Sequence, residues 1–433
     1  MTNRTDAEIL LVTSHYPFGL VQENWIAPEL EEFSRSFSKV HVLPVKELDG
    51  RRELPEGVEL WDPIARLNRK AFFARECMRP STWRHFWGSA KECHVKSKLN
   101  LKRLILCLKF ACYRSAFEKL PRLSEFLASP NPKIVYAYWG HIPALSIPIA
   151  KASGSATCVR YHAADLYLHR PETGGFYPWR ELVHSAADLL VFISDHGLEY
   201  FKRRYGRQSN PRAEVFRLGC RDFGPARQRA VMDPDRPVVM ASASWLAPVK
   251  RVEEIATLAG ELANRRPIVW HHFGGGHSDL VQEAADNART KGAKVIFHGI
   301  VPVEKLQRFY RTTDIDFFVN LSRDEGVPVS IMEAMNADIP IVATNVGGTC
   351  EAVIEGRSGL LLDPTLQGRH AEVSEEILEH LSAGGILGAS TPRQTWEELY
   401  NAEQLAKVFV ERLLNEATQA SCKKRTFALR AKD

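Results

Sequence analysis

No apolar run in this 433-residue chain is long and unbroken enough to cross a membrane: the longest, Leu101 to Cys112, is interrupted by Lys102, Arg103 and Lys109. The opening apolar segment, Ile9 to Val12, is too short for a signal-peptide core, so no secretion signal is expected. The eight cysteines (Cys77, Cys93, Cys107, Cys112, Cys158, Cys220, Cys350 and Cys422) include no Cys-x2-Cys pair. Their scatter predicts reduced thiols in a cytosolic protein and argues against a metal even where Cys93-His94 lies near Cys77. No Gly-x-Gly-x-x-Gly fingerprint and no long internal repeat occur, which removes a dinucleotide-type turn and a solenoid. Charge is also unremarkable in total, with a formal net of +5 that gives no reason to expect nucleic acid.

What is present is an ordinary globular composition, 45% hydrophobic and 25% charged, in a chain too long for one core. Two domains are therefore expected. The most informative stretch is Asp316 to Gly348, which reads as strand, loop, helix, strand and Gly-rich turn. Glu325 falls on the loop and Glu333 inside the helix, which Pro328 is expected to open from its first turn. Gly326 permits close backbone approach, and the free amides and dipole of the helix start favour an anion beside Gly326, Val327 and Pro328. A carboxylate on each side of a phosphate site suits a diphosphate flanked by two polyols, because carboxylate oxygens accept from hydroxyls while amides take the negative charge. A nucleotide-sugar fits that description.

These residues resemble glycosyltransferase family 4, the retaining GT-B transferases, whose signature is Glu-x7-Glu followed by a strand and a Gly-Gly turn. The match comprises Glu325-Gly326-Val327-Pro328, Glu333-Ala334-Met335, Pro340 to Thr344 and Gly347-Gly348, with Glu351 just beyond. The resemblance implies an α/β fold of two doubly wound Rossmann-like domains facing a cleft, with a C-terminal helix crossing back to the first domain. On that basis residues 1–222 are expected to form the acceptor-side domain and residues 235–397 the nucleotide-sugar domain, with a linker near 221–236 and helix 398–433 packing back. It further implies that Glu333 holds a ribose hydroxyl and Glu325 the sugar, and that Lys250 stabilises the diphosphate. Trp245 stands where the family usually has Arg, leaving Arg251 as the neighbouring base for that task. The turn Gly274-Gly275-Gly276 is expected to admit a nucleotide base.

In the first half, the loop after the first strand contains Gly19, a candidate for close approach to the donor. A polar cluster, His162-Ala163-Ala164-Asp165, follows the strand ending at Tyr161 and looks like the family's His-x-x-Asp element beside the transferred sugar. His162 is then a catalytic candidate and Asp165 a donor-binding one. Residues 66–115 hold 13 Lys or Arg against Glu76 and Glu92, with Phe72, Phe73, Trp83, Phe86, Trp87, Phe110 and Tyr113 interleaved. Such a segment is either a basic surface for an anionic membrane, with Trp83, Phe86 and Trp87 in the headgroups and Lys96, Lys98, Lys102 and Arg103 on the lipid charge, or a solvated insertion whose aromatics are core. The tail around Lys423-Lys424-Arg425 is expected to be disordered.

The sequence reading is thus a cytosolic, retaining glycosyltransferase with a nucleotide-sugar donor and neither metal nor cofactor. Its expected acceptor is a lipid-linked saccharide of a cell-surface polymer, with a soluble acceptor as the alternative. A nucleotide-sugar epimerase would convert donor without acceptor, and a binding scaffold would turn over nothing.

Overall fold

The computed structural model describes residues 5–19, 23–96, 100–170, 175–206, 212–226, 236–382, 387 and 391–430, with residues 24 and 423–430 as backbone alone. The chain divides into two compact units, Met1–Phe216 with Glu403–Asp433, and Arg217–Ala402.

The first unit runs β1 (Thr5–Thr13), α1 (Ala27–Ser36), β2 (Phe37–Pro44), β3 (Val58–Leu60), α2 (Arg69–Cys77), α3 (Pro80–Lys96), α4 (Leu101–Glu118), α5 (Pro121–Ala128) and β4 (Lys133–Ala137). It continues with α6 (Ile147–Ala152), β5 (Ala156–Tyr161), α7 (Ala163–Leu166), α8 (Arg180–Ala186), β6 (Leu189–Phe192), α9 (Asp195–Tyr205) and β7 (Arg212–Val215). Its seven strands form one sheet in the order β3-β2-β1-β4-β5-β6-β7, paired in parallel. Leu11 of β1 sits opposite Val42 of β2 and Tyr136 of β4, all fully buried, because a parallel sheet covered on both faces needs continuous apolar strands rather than alternating ones.

The second unit repeats the scheme with β8 (Val238–Ala243), α10 (Val252–Ala263), β9 (Ile268–Phe273), α11 (Asp279–Thr290), β10 (Lys294–Phe297), α12 (Val303–Thr312) and β11 (Phe317–Asn320). Then come α13 (Val329–Asn336), β12 (Ile341–Thr344), α14 (Thr349–Ala352), β13 (Gly359–Leu362), α15 (His370–Leu381) and the helix Pro392–Leu399. Its sheet is β10-β9-β8-β11-β12-β13, also parallel. In both sheets the order reverses at one point, between β1 and β4 and between β8 and β11, where open α/β sheets present their strand ends to a ligand.

Several expectations are corrected here. Pro328 is the N-cap, in an extended conformation, and α13 begins at Val329. Trp396 lies in the helix Pro392–Leu399, ahead of the terminal helix. The backbone around Lys423–Arg425 is helical, since the terminal helix spans Ala402–Arg430. That helix belongs to the first unit from Glu403 onward, and buries Phe409, Leu413 and Ala417 there. Of the expected linker, residues 227–235 lie outside the described residues, as does Lys98.

The basic insertion becomes α2, α3 and α4, a helical layer of the first unit. Phe72, Phe110 and Tyr113 are buried in its main core, as the core reading of those aromatics expects. Trp83 and Trp87 face outward.

Candidate functional site

In the second unit, the loop from Leu321 to Pro328 follows β11 and carries the motif's first carboxylate. Glu325 is buried, and its Oε1 accepts from Lys250 Nζ at 2.5 Å and from Ser322 Oγ at 2.7 Å. Lys250 ends the short turn Pro248–Lys250 after β8, and Arg323 N–H donates to Val249 O at 2.8 Å, which ties the two loops together. The expected Lys250–Glu325 neighbourhood is therefore assembled. The Gly-Gly turn explains why it holds its shape. A Cβ on Gly347, whose φ is +53°, would stand 1.9 Å from Glu325 O, and one on Gly348 would stand 2.1 Å from Gly326 O. Only glycine lets this turn close on the Glu325–Gly326 backbone. Val327 is buried, so its backbone alone is available to a ligand.

Glu333 is half-buried one turn into α13, and burial pushes its carboxyl up to about 7. Its charge in turn holds the buried Tyr310 hydroxyl above its ordinary range, after burial itself. Gly274 and Gly275 also pack as only glycine does: a Cβ on Gly274 would meet Ser244 O at 1.8 Å, and one on Gly275 would meet Ile300 and the Trp245 ring at 2.7 and 2.9 Å. Trp245 and Ile300 stay exposed beside this turn, at 50% and 57%.

Arg251 departs from expectation. It takes the left-handed conformation (φ +48°) and turns inward, its guanidinium donating to Leu321 O (2.5 Å), Pro364 O (2.8 Å) and Ser322 O (3.2 Å). It braces the loop instead of facing a ligand. Arg323, given no role in the sequence reading, is exposed on the same loop, its backbone tied to Val249 next to Lys250. Two Asp-x-Asp spacings, Asp233-Pro234-Asp235 and Asp314-Ile315-Asp316, overturn the expectation that the chain carries no such motif. Asp233 and Asp235 lie outside the described residues, and Asp316 is engaged by Arg236 at 2.5 and 2.9 Å and by Val239 N–H at 2.8 Å. Among the described residues no three His, Cys, Asp or Glu side chains are grouped as a metal site.

In the first unit, His162 lies buried after β5, against the Trp139 ring at 4.1 Å, with Nε2 donating to Tyr138 O at 2.9 Å. Burial, then Arg160, pushes its pKa down to about 3, so the imidazole is neutral and offers Nδ1 as an acceptor. Asp165 is corrected. Its oxygens accept from His162 N–H at 2.7 Å and Gly140 N–H at 2.5 Å, fastening α7 to the end of β4. Burial raises it to about 7 against the pull of Arg180 and those amides. Gly19, at φ +77°, is pinned by its N–H on Gly50 O (2.9 Å) and its own O on Arg52 (2.7 Å). The sequence reading missed Glu23. This buried carboxylate accepts from the N–H groups of Ser14 (3.2 Å), His15 (2.8 Å) and Tyr16 (2.6 Å) and from the Trp139 indole, fixing the loop after β1.

The model of the family described as Glycosyl transferases group 1 matches residues 226–383, most of the second unit. A D-inositol 3-phosphate glycosyltransferase 2 of Catenulispora acidiphila is 27% identical over 225 residues, 48% of this chain and 52% of the relative. A GDP-mannose-dependent alpha-(1-6)-phosphatidylinositol monomannoside mannosyltransferase of Mycolicibacterium smegmatis is 25% identical over 250 residues, 54% of this chain and 64% of the relative. The chain spans about half the length of the curated relatives it matches first. Among solved structures, sucrose-phosphate synthase from Thermosynechococcus elongatus superposes with a TM-score of 0.66 at 16% identity, covering 95% of this chain and 99% of that one. The lipopolysaccharide outer core galactosyltransferase WaaB gives 0.62 at 15%, with coverage of 95% and 99%. The fold is therefore GT-B.

Proposed function

We propose that the protein is a retaining, metal-independent glycosyltransferase that moves a sugar from a nucleotide-sugar to a lipid-linked saccharide acceptor in cell-surface polysaccharide synthesis. The observation that carries this reading is the Lys250–Glu325–Ser322 cluster beside the start of α13, closed by Gly347 and Gly348. In this reading Lys250 and Arg323 face the diphosphate, Glu325 the sugar and Glu333 the ribose, and the neutral His162 of the first unit is able to accept a hydrogen bond from a sugar hydroxyl. As the anomeric C–O bond breaks, negative charge grows on the departing diphosphate, and fixed cations there lower the barrier. The relatives' printed names, an inositol phosphate and a phosphatidylinositol mannoside, support a phosphorylated or lipid-borne acceptor. A soluble acceptor is the second reading, favoured by the likeness to sucrose-phosphate synthase.

Glu325→Gln is the direct test. It keeps the shape but removes the charge on which Lys250 and the sugar converge, so kcat is expected to fall while nucleotide affinity stays within a few fold. Equal losses in both would break this division of roles. Turnover that consumes donor and releases only an isomeric nucleotide-sugar would identify an epimerase, and binding without turnover a scaffold.

The raised Glu333 makes a second prediction. A carboxyl held near 7 by burial is largely neutral at pH 6, whereas ribose hydroxyls donate to its ionised form. Nucleoside affinity should therefore strengthen by about tenfold from pH 6 to pH 8, as the competent fraction rises. Calorimetry should show proton release on binding at pH 6, and Glu333→Gln should flatten the profile. Unfolding has the opposite sign: stability of the free protein from this group declines as pH rises from 4.5 through 7, because the fold favours the neutral form.

For membrane location, the carrying surface is α3 and the start of α4. Trp83, Trp87 and Val95 stand 43%, 66% and 76% exposed along one side of α3, with Lys91 between them, and Leu101, Lys102 and Ile105 are exposed on α4. Phe86 packs on the core and Lys96 pairs with Glu92 and Glu181, so neither belongs to that face. Wild-type protein should sediment with phosphatidylglycerol vesicles at low salt but not with phosphatidylcholine vesicles, and Trp83→Ser with Trp87→Ser should reduce this at least tenfold. Unchanged sedimentation of the double variant would assign the face to solvent.

A further inference from the structure

A second cluster of charge lies in the first unit, away from the motif. Lys46 follows β2, and its N–H donates to Ser14 O at 3.0 Å, which sets it beside the loop after β1. His15 comes next on that loop, and His141, after β4, brings Nε2 within 3.5 Å of Ser14 Oγ while its ring stacks on Trp139 at 5.4 Å. Helix α4 packs on the turn Ile142–Ser146 and carries the half-buried Lys109. Helix α2 begins at Arg69 and lays Phe72 and Phe73 on Tyr113 of α4, at 4.9 and 5.9 Å. Three strand ends, two of them flanking the sheet's reversal point, and two overlying helices thus bring three bases and two imidazoles together.

Among the described residues, none of Lys46, Arg69 and Lys109 has a carboxylate within ion-pair distance. The carboxylates nearby are spoken for: Glu23 takes four donors, and Glu47 accepts from Leu67 N–H at 3.2 Å. The bases feel one another. Lys46 is pushed down to about 8 by burial, then by Lys109 and Arg69, against the pull of Glu23. Lys109 is lowered by burial and Arg69, and His15 falls to about 4 through burial, Lys46 and Arg69. Lys46 and Lys109 are half-buried and Arg69 is exposed beside them; like charges so placed without an opposing one are costly, and a multiply charged anion relieves them all at once.

We propose that Lys46, Arg69 and Lys109 form a binding site for a phosphate or diphosphate group on the acceptor. Two ammoniums and a guanidinium match the charge of a phosphate dianion better than that of a single carboxylate. The site rests on the proposed function only for the word acceptor. A soluble sugar phosphate and a lipid diphosphate share this chemistry.

Calorimetry distinguishes them with the full chain saturated in nucleoside diphosphate, so that the second unit is occupied. Inorganic pyrophosphate should still bind one further site, weakened at least tenfold by Lys46→Gln with Lys109→Gln and unaffected by Lys250→Ala. Hexose 6-phosphate binding as well would assign a soluble acceptor, whereas capture only by phosphatidylcholine vesicles doped with a polyprenyl diphosphate would assign a lipid one. Equal pyrophosphate affinity in wild type and double variant, or none in the wild type, would overturn the site. Failure of any nucleoside diphosphate to bind would instead remove the glycosyltransferase reading and leave pyrophosphate binding to be judged alone.

Discussion

Replacing Lys250 with alanine is expected to lower kcat by about 10²–10³, about 2.7–4 kcal/mol of activation free energy, the scale seen when one preorganised group facing transition-state charge is removed. The substitution deletes the cation and also leaves Glu325, buried and held by Lys250 at 2.5 Å, with only Ser322 as partner. Part of the loss should therefore appear as a displaced carboxylate. Lys250→Arg should restore a fraction of the rate, because it returns the charge but not the compact ammonium geometry. Added Mg²⁺ or Mn²⁺ should restore nothing, and chelator should leave the wild type unchanged. A Lys250→Ala enzyme with wild-type kcat would remove Lys250 from the site.

The other large effect is on stability. Arg160 of β5 is fully buried, paired with Glu29 of α1 and seated 4.5 Å over the Phe409 ring of the terminal helix. Glu29 also accepts from the Tyr136 hydroxyl at 3.3 Å. Glu29→Ala strands the guanidinium without a counter-charge, at an expected cost of about 3–5 kcal/mol in chemical denaturation. The paired change Glu29→Leu with Arg160→Met removes both charges together and should recover most of that loss, since well-packed apolar side chains replace such pairs at little cost. An additive sum of the two single effects would show that the pair is not the unit that matters.

How much of this was legible follows from where each determinant resides. The second sheet and its motif are read easily because Glu325, Gly326 and Glu333 lie within nine positions, and their helix and strand signals are local. Arg251 was misread because its direction depends on a left-handed backbone that no residue type there advertises. Asp165 was misread because its partner Gly140 lies 25 residues away, in the turn after another strand. Lys46 and Lys109 come from separate elements and meet only through the packing of α4. Helix α3 inverts the usual signal: it buries Thr82, His85, Ser89 and Cys93 and exposes Trp83 and Trp87, so apolar periodicity points to the wrong face. Glu23 carried no pattern, since its partners are backbone amides of Ser14, His15 and Tyr16.

The central claim is that the second unit binds a nucleotide-sugar, and a thermal-shift panel of UDP-, GDP- and ADP-sugars tests it most directly. A ligand that binds only the folded state stabilises it by about 2.7 kcal/mol at a hundred times its Kd. One base should raise the melting temperature clearly over the others, with Glu333→Gln and Lys250→Ala each reducing the shift less than their combination does. No shift from any of the three at millimolar concentration, in protein that unfolds cooperatively, would contradict the account.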